Sequence, residues 1–134
     1  MNDVRYSAPS SLDEASKAML AAGGAGRILA GGTDLLVQMR SGMQKPGVIV
    51  DIKKIDEMMS IQDLGGGSFR IGAAVSGAVI GEHKALKKAW PGVVEAINLI
   101  GSKQIQGRAS AGGNLCNASP AADSGPALVA AGAM

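Results

Sequence analysis

Aromatic side chains are almost missing from this 134-residue chain, which holds one tyrosine, one phenylalanine and one tryptophan: Tyr6, Phe69 and Trp90. The core must therefore be aliphatic, and little is available to stack on a nucleobase. Net charge is only +2, with no basic run, so there is no electrostatic footprint for nucleic acid. Cysteine is equally scarce. Cys116 stands alone, which excludes an internal disulfide framework. It also excludes a cysteine-ligated iron–sulfur cluster, or a cysteine-built structural zinc site, held by this chain by itself. No run approaches the ~20 apolar residues of a membrane span. The opening MNDVRYSAPSS has an acidic residue and no apolar core, so it does not read as a signal peptide. One domain's worth of chain, cytoplasmic and without a membrane span, is the expectation.

What the chain has in excess is glycine, 20 residues against an ordinary share of about 7%. The glycines cluster without a repeat, which points to special backbone positions and not to a linker. Ser11-Leu12-Asp13-Glu14 reads as a capping box, opening a helix that Gly23-Gly24 stops. "RILA" (27–30) is a short buried strand, "LLVQMR" (35–40) a helix, and "GVIVDI" (47–52) the clearest strand, β-branched and bounded by turn residues. Two strands joined through a helix should lie parallel. A change comes near residue 60, where "SIQDLGGGSFRIGA" reads as a hairpin around Gly65-Gly66-Gly67. One amphipathic helix is expected over about 76–88, with Lys84, Lys87 and Lys88 outward. Pro91 opens a second, with Val93, Val94, Ile97 and Ile100 on one face and Gly101 at its end. "SGPALVAAGAM" begins a last helix. The fold class is α+β, with a small α/β subdomain over residues 1–58 and a second subdomain over 59–134 that looks unfinished. Either this is a fragment or a partner chain completes it.

Two places offer Gly-Gly followed by a short polar residue: "AGGTD" (30–34) and "SAGGN" (110–114). Each follows a plausible extended segment, where a glycine pair permits positive φ and leaves no Cβ in the way. Successive N–H groups can then converge on an anion, with Thr33 and Asn114 adding side-chain hydrogen bonds. Two such nests in one domain suit a diphosphate, such as the pyrophosphate of a dinucleotide. A Gly-Gly pair is also the mark of a plain turn. Neither is a G-x-G-x-x-G fingerprint or a P-loop, and spacing alone takes the reading no further.

The segments "ILAGGTDLLVQMR", "FRIGAAVS" and "IGSKQIQGRASAGGNLCNASPAADSGPAL" resemble the FAD-binding subunit of molybdenum hydroxylases. That family includes the medium subunit of carbon monoxide dehydrogenase and the flavin domain of xanthine dehydrogenase. The resemblance runs in order over nearly the whole chain. It implies the vanillyl-alcohol-oxidase (PCMH) type of FAD-binding fold, with FAD between two subdomains and its pyrophosphate on the two glycine turns. By position it assigns cofactor contacts to Ile28, Leu29, Ala30, Gly31, Gly32, Thr33, Asp34 and Leu35. The second turn contributes Ser110, Ala111, Gly112, Gly113 and Asn114, joined by Ile100 and Asp123. Residue chemistry alone reads Asp123 as a plain carboxylate at a helix N-terminus.

The resemblance further implies an oxidoreductase assembly. A large partner subunit carries the molybdenum cofactor, and a small partner carries [2Fe–2S] clusters that pass electrons to FAD and on to NAD, quinone or oxygen. No side chain here need act as acid, base or nucleophile, and no metal ligand set is expected. Two rivals stand beside this reading: a cofactor-free truncated module serving as an assembly element, and another flavin-dependent oxidase on the same fold. The chain departs from the family in carrying Ala111 where a bulky aliphatic is usual, and in its length, since family subunits run much further. Isolated, it is expected to hold flavin weakly or not at all. Cys116 is expected to be a buried small hydrophobe, and His83 a solvated residue on the lysine-rich helix.

Overall fold

The computed structural model describes residues 3–134. β1 (Arg5–Ser7) leads into α1 (Leu12–Ala21), β2 (Gly26–Leu29), α2 (Leu35–Arg40) and β3 (Val48–Asp51). The strands form one parallel sheet in the order β1-β3-β2, with Tyr6 opposite Ile49 and Ile28 opposite Val50. β3 is central, and every one of its residues is buried, which is why it reads as an unbroken apolar run. The third strand, β1, was not expected. It is short and largely exposed, with no apolar alternation to betray it.

α1 starts as its sequence directs. Ser11 Oγ accepts the Glu14 N–H at 3.2 Å, and Glu14 reaches back to the Ser10 N–H at 2.9 Å, one residue earlier than in a standard capping box. Ala15 packs inward with Val48, Val50, Ile52, Ile55 and Ala74 to make the first aliphatic core.

After α3 (Asp56–Met59), the hairpin β4 (Ile61–Gly65) and β5 (Ser68–Ile71) pairs antiparallel, Ile61 opposite Ile71. Gly65, Gly66 and Gly67 all take positive φ, so this turn needs glycine for its backbone. The single helix expected over 76–88 is instead two, α4 (Gly77–Glu82) and α5 (Lys84–Ala89). The break is His83, in extended conformation at φ −76°, ψ 97°. Its ring Nδ1 accepts the Leu86 N–H at 3.1 Å, and the ring stands edge-on to Phe69 with centroids 5.9 Å apart. His83 is thus a half-buried cap, not a solvated residue on a helix face.

Pro91 opens α6 (Pro91–Ile97) as expected, but that helix ends before Ile100. Trp90, between α5 and α6, donates its indole N–H to Gly67 O at 2.7 Å and pins the hairpin turn. α7 (Lys103–Gln106), α8 (Ala111–Cys116) and α9 (Ser124–Ala130) follow. Ile80, Leu86, Val94 and Ile97 are the heart of a second aliphatic core, on which Phe69, Ile71 and Leu128 pack.

Candidate functional site

Leu29 ends β2 in the interior, and the chain then leaves the sheet through Ala30-Gly31-Gly32-Thr33. Gly32 has φ +80°, the left-handed conformation that glycine tolerates. Gly31 does not, and its reason is different. A Cβ there would overlap the carbonyl oxygen of Arg108, on the stretch that leads into α8. The first turn is therefore seated directly against the approach to the second.

The second glycine pair is not the positive-φ turn expected. Gly112 and Gly113 lie in the first turn of α8, N-capped by Ser110, whose Oγ accepts the Gly113 N–H at 3.1 Å. The extended segment before it is reduced to one bridge, Ser76 to Ser110. A Cβ on Gly112 would sit 2.6 Å from Ala73 O, so glycine is required here for close packing of a helix on backbone. Gly31 and Gly112 are thus contact glycines, the first against the approach to α8 and the second against Ala73.

Between them lies a cleft of about 890 Å³, within the range typical of small-molecule sites. Of the residues singled out from sequence, Ile28, Ala30, Gly31, Gly32, Thr33, Asp34 and Leu35 line it from one side. Ile100, Ser110, Gly112, Gly113 and Asn114 line it from the other. Leu29 and Ala111 do not reach it: Leu29 is buried under the turn, and Ala111 packs on the second core. Asp123 is the exposed residue before α9, outside the lining, and makes no side-chain cap.

The cleft walls carry unused donors. Among the described residues, the N–H groups of Gly31, Gly32, Thr33 and Asp34 find no acceptor, nor does that of Gly112. Groups of this kind want an anion or water. Asp34 makes no side-chain hydrogen bond at the start of α2. Asn114 is partly committed: its Oδ1 accepts the Ser124 Oγ–H at 2.6 Å. Ser124 is fully buried. Asn114→Ala is therefore expected to cost about 1–3 kcal/mol by stranding that hydroxyl, read as a lower urea midpoint. An unchanged midpoint would show that Ser124 finds another partner.

Several wall residues were not legible in advance. Arg27 Nε donates to Gln44 Oε1 at 3.0 Å along one rim. Gln38 of α2 donates to Asn117 Oδ1 at 2.9 Å and so spans the two sides. Those two are 79 residues apart, and no local pattern connects them. Cys116, expected to be buried, is exposed at the end of α8 and belongs to the cleft wall.

At the base of the first turn, Asp51 accepts hydrogen bonds from Tyr6 and Lys53. Burial raises its carboxyl group, but these hydrogen bonds and the Lys53 charge outweigh it and hold the pKa below the usual carboxylate value. Its contribution to stability is thus present above that usual value and is lost as pH falls through the lowered one. Tyr6, hydrogen-bonded to the carboxylate, is pushed the other way, above 10.0. Its contribution is complete below 10.0 and is lost as pH rises through the raised value. Unfolding midpoints across acid pH should fall less steeply for Asp51→Asn than for the wild type; equal slopes would contradict this assignment.

Residues 2–134 match the family model described as the FAD binding domain in molybdopterin dehydrogenase. The chain belongs to this family. Among curated relatives, it is 36% identical over 104 residues to the xanthine dehydrogenase FAD-binding subunit of Escherichia coli O157:H7, covering 77% of this chain and 36% of that one. It is 33% identical over 129 residues to the nicotinate dehydrogenase FAD-subunit of Eubacterium barkeri, covering 92% and 42%. Among solved structures, the reconstituted CO dehydrogenase from Oligotropha carboxidovorans superposes with a TM-score of 0.86 at 28% identity, covering 92% of this chain and 43% of that one. The PCMH-type FAD-binding fold implied by the sequence resemblance is the fold observed. The chain spans well under half the length of these relatives. No helix among the described residues is long and apolar enough to cross a membrane, and no cluster of His, Cys, Asp or Glu there could hold a metal.

Proposed function

We propose that this chain carries FAD in the cleft between its two glycine pairs, as the electron-transfer flavin module of a molybdenum hydroxylase. The observation that carries the reading is the set of backbone amides without an acceptor at Gly31–Asp34 and at Gly112, on residues that line one cleft from two sides. Donors disposed in this way fit a diphosphate, whose charge they can share without a basic side chain. FAD, when bound, supplies the redox chemistry. The protein holds and orients it.

The roles divide by chemistry. The amides of Gly31, Gly32 and Thr33, with the Thr33 hydroxyl, take one phosphate, and that of Gly112 takes the other. The unbonded Asp34 carboxylate accepts from a sugar or ribityl hydroxyl. Ile28, Leu35 and Ile100 give apolar contact, while Leu29 and Ala111 support the turns from behind. Asp123, outside the lining, serves a part of the nucleotide that projects past α9. The buried residues of the first aliphatic core run from Ala15 to Ile55, with Ala74 added, and those of the second from Val75 to Ala109, which supports a division into subdomains at 1–58 and 59–134.

In the whole assembly, electrons reach the flavin from [2Fe–2S] clusters of a small partner subunit, after a molybdenum-cofactor subunit oxidises the substrate. The assembly works in the cytoplasm. Competition tests the core of this reading. FAD and ADP should displace one another from the chain, while riboflavin, which lacks the diphosphate, should compete far more weakly. Riboflavin binding as tightly as FAD would overturn the diphosphate assignment.

A further inference from the structure

The first glycine turn is held from beneath by a polar chain that runs from β1 across β3 to the end of β2. Tyr6 on β1 donates its hydroxyl to Asp51 Oδ2 at 2.7 Å. Asp51, buried at the end of β3, accepts at Oδ1 from the Lys53 N–H at 2.9 Å and from Lys53 Nζ at 2.8 Å. The same ammonium then donates to the carbonyl oxygen of Ala30 at 2.9 Å. Ala30 is the residue from which the turn leaves β2.

We propose that Lys53 is a positioning residue, which clamps the Ala30 carbonyl and thereby aims the Gly31 N–H into the cleft. The argument is covalent geometry. The Ala30 C=O and the Gly31 N–H belong to one planar trans peptide, so they point in opposite directions. Fixing the oxygen on Lys53 fixes the hydrogen on the far side. Such fixing has work to do, because Gly31-Gly32 offers little steric resistance to rotation of this peptide. The charge also matters, since a carbonyl bonded to an ammonium leaves its own peptide N–H a stronger donor. Tyr6 and Asp51 hold the ammonium in place, and no other lysine is ion-paired at this end of the sheet among the described residues.

The affinity arm of this inference rests on the flavin reading, while its geometric arm does not. The experiment uses the chain with Lys53→Met, Lys53→Arg and Tyr6→Phe, each measured well below its melting temperature. In ligand-free protein, Lys53→Met should move the Ala30 carbonyl carbon resonance and introduce microsecond–millisecond exchange at Gly31 and Gly32. Gly112 and Gly113 should be unaffected. Affinity for ADP and FAD should fall about tenfold in Lys53→Met, the scale of one charge-assisted hydrogen bond. Lys53→Arg should restore most of it, and Tyr6→Phe should lie between. Unchanged Ala30 and Gly31 signals in Lys53→Met would overturn the clamp, as would an affinity loss that arginine fails to rescue. If the wild type binds neither ADP nor FAD, the flavin reading falls, and the ligand-free spectra alone decide the clamp. Should Lys53→Met not fold, the Ala30 and Gly31 signals of Tyr6→Phe decide it in the same way.

Discussion

Replacing Gly31 with alanine is expected to lower folding stability by about 1–3 kcal/mol and to remove measurable nucleotide binding. The added methyl meets the Arg108 carbonyl oxygen and comes within 3.1 Å of Ala109 Cα, both backbone atoms that cannot swing aside. Relief requires the first turn to separate from the approach to α8, which opens the cleft at the point where its two donor sets meet. Gly92→Ala is the matched control. It lies in α6 with nothing within 4 Å of its Cβ position, and alanine there should be neutral or stabilising by about 0.5–1 kcal/mol. Urea midpoints and an ADP titration of both variants check the pair. Wild-type stability and binding in Gly31→Ala would mean that the two loops are not in register as described.

Ile97→Ala is expected to be the most destabilising single truncation, at about 2–5 kcal/mol. Ile97 is fully buried at the centre of the second core, on the inner face of α6. A loss of that size is a large part of the ~5–15 kcal/mol that holds a typical domain together. The effect should be confined to stability. Ile97 does not line the cleft, so ADP affinity measured well below the melting temperature should stay within about twofold, the change expected from less than one hydrogen bond. Calorimetry and titration of this variant separate the supports of the fold from the donors of the site, the reverse of what Gly31→Ala does.

The parts of this structure that were legible in the sequence are those decided locally. GVIVDI announces a strand buried on both faces because all of Val48, Ile49 and Val50 are apolar. The hairpin announces itself through three glycines that need positive φ. Elements decided by distant packing were not legible. α8 carries two glycines, poor helix formers, and is helical in the observed fold where Gly112 must lie flat on Ala73. The break at His83 depends on the ring capping Leu86 and meeting Phe69 across the hairpin, and a lysine-rich periodic run hides it.

The cleft shows the same division. Its two glycine pairs could be picked out as candidate anion turns, although for one of them the reason for glycine is close packing and not φ. Their meeting could not be seen, because it depends on Gly31 and Arg108 touching across most of the chain. Nor could the Lys53 bond to Ala30, which needs the sheet order β1-β3-β2 to bring the end of β3 beneath the end of β2.

A titration of isotope-labelled chain with FAD, followed by amide resonances, tests the central claim most directly and remains informative if binding is weak. The amides of Gly31, Gly32 and Thr33 should shift together with that of Gly112, along one binding curve, while ADP moves the same set. Shifts confined to one loop, or two loops that titrate with different affinities, would show that no single diphosphate lies between them.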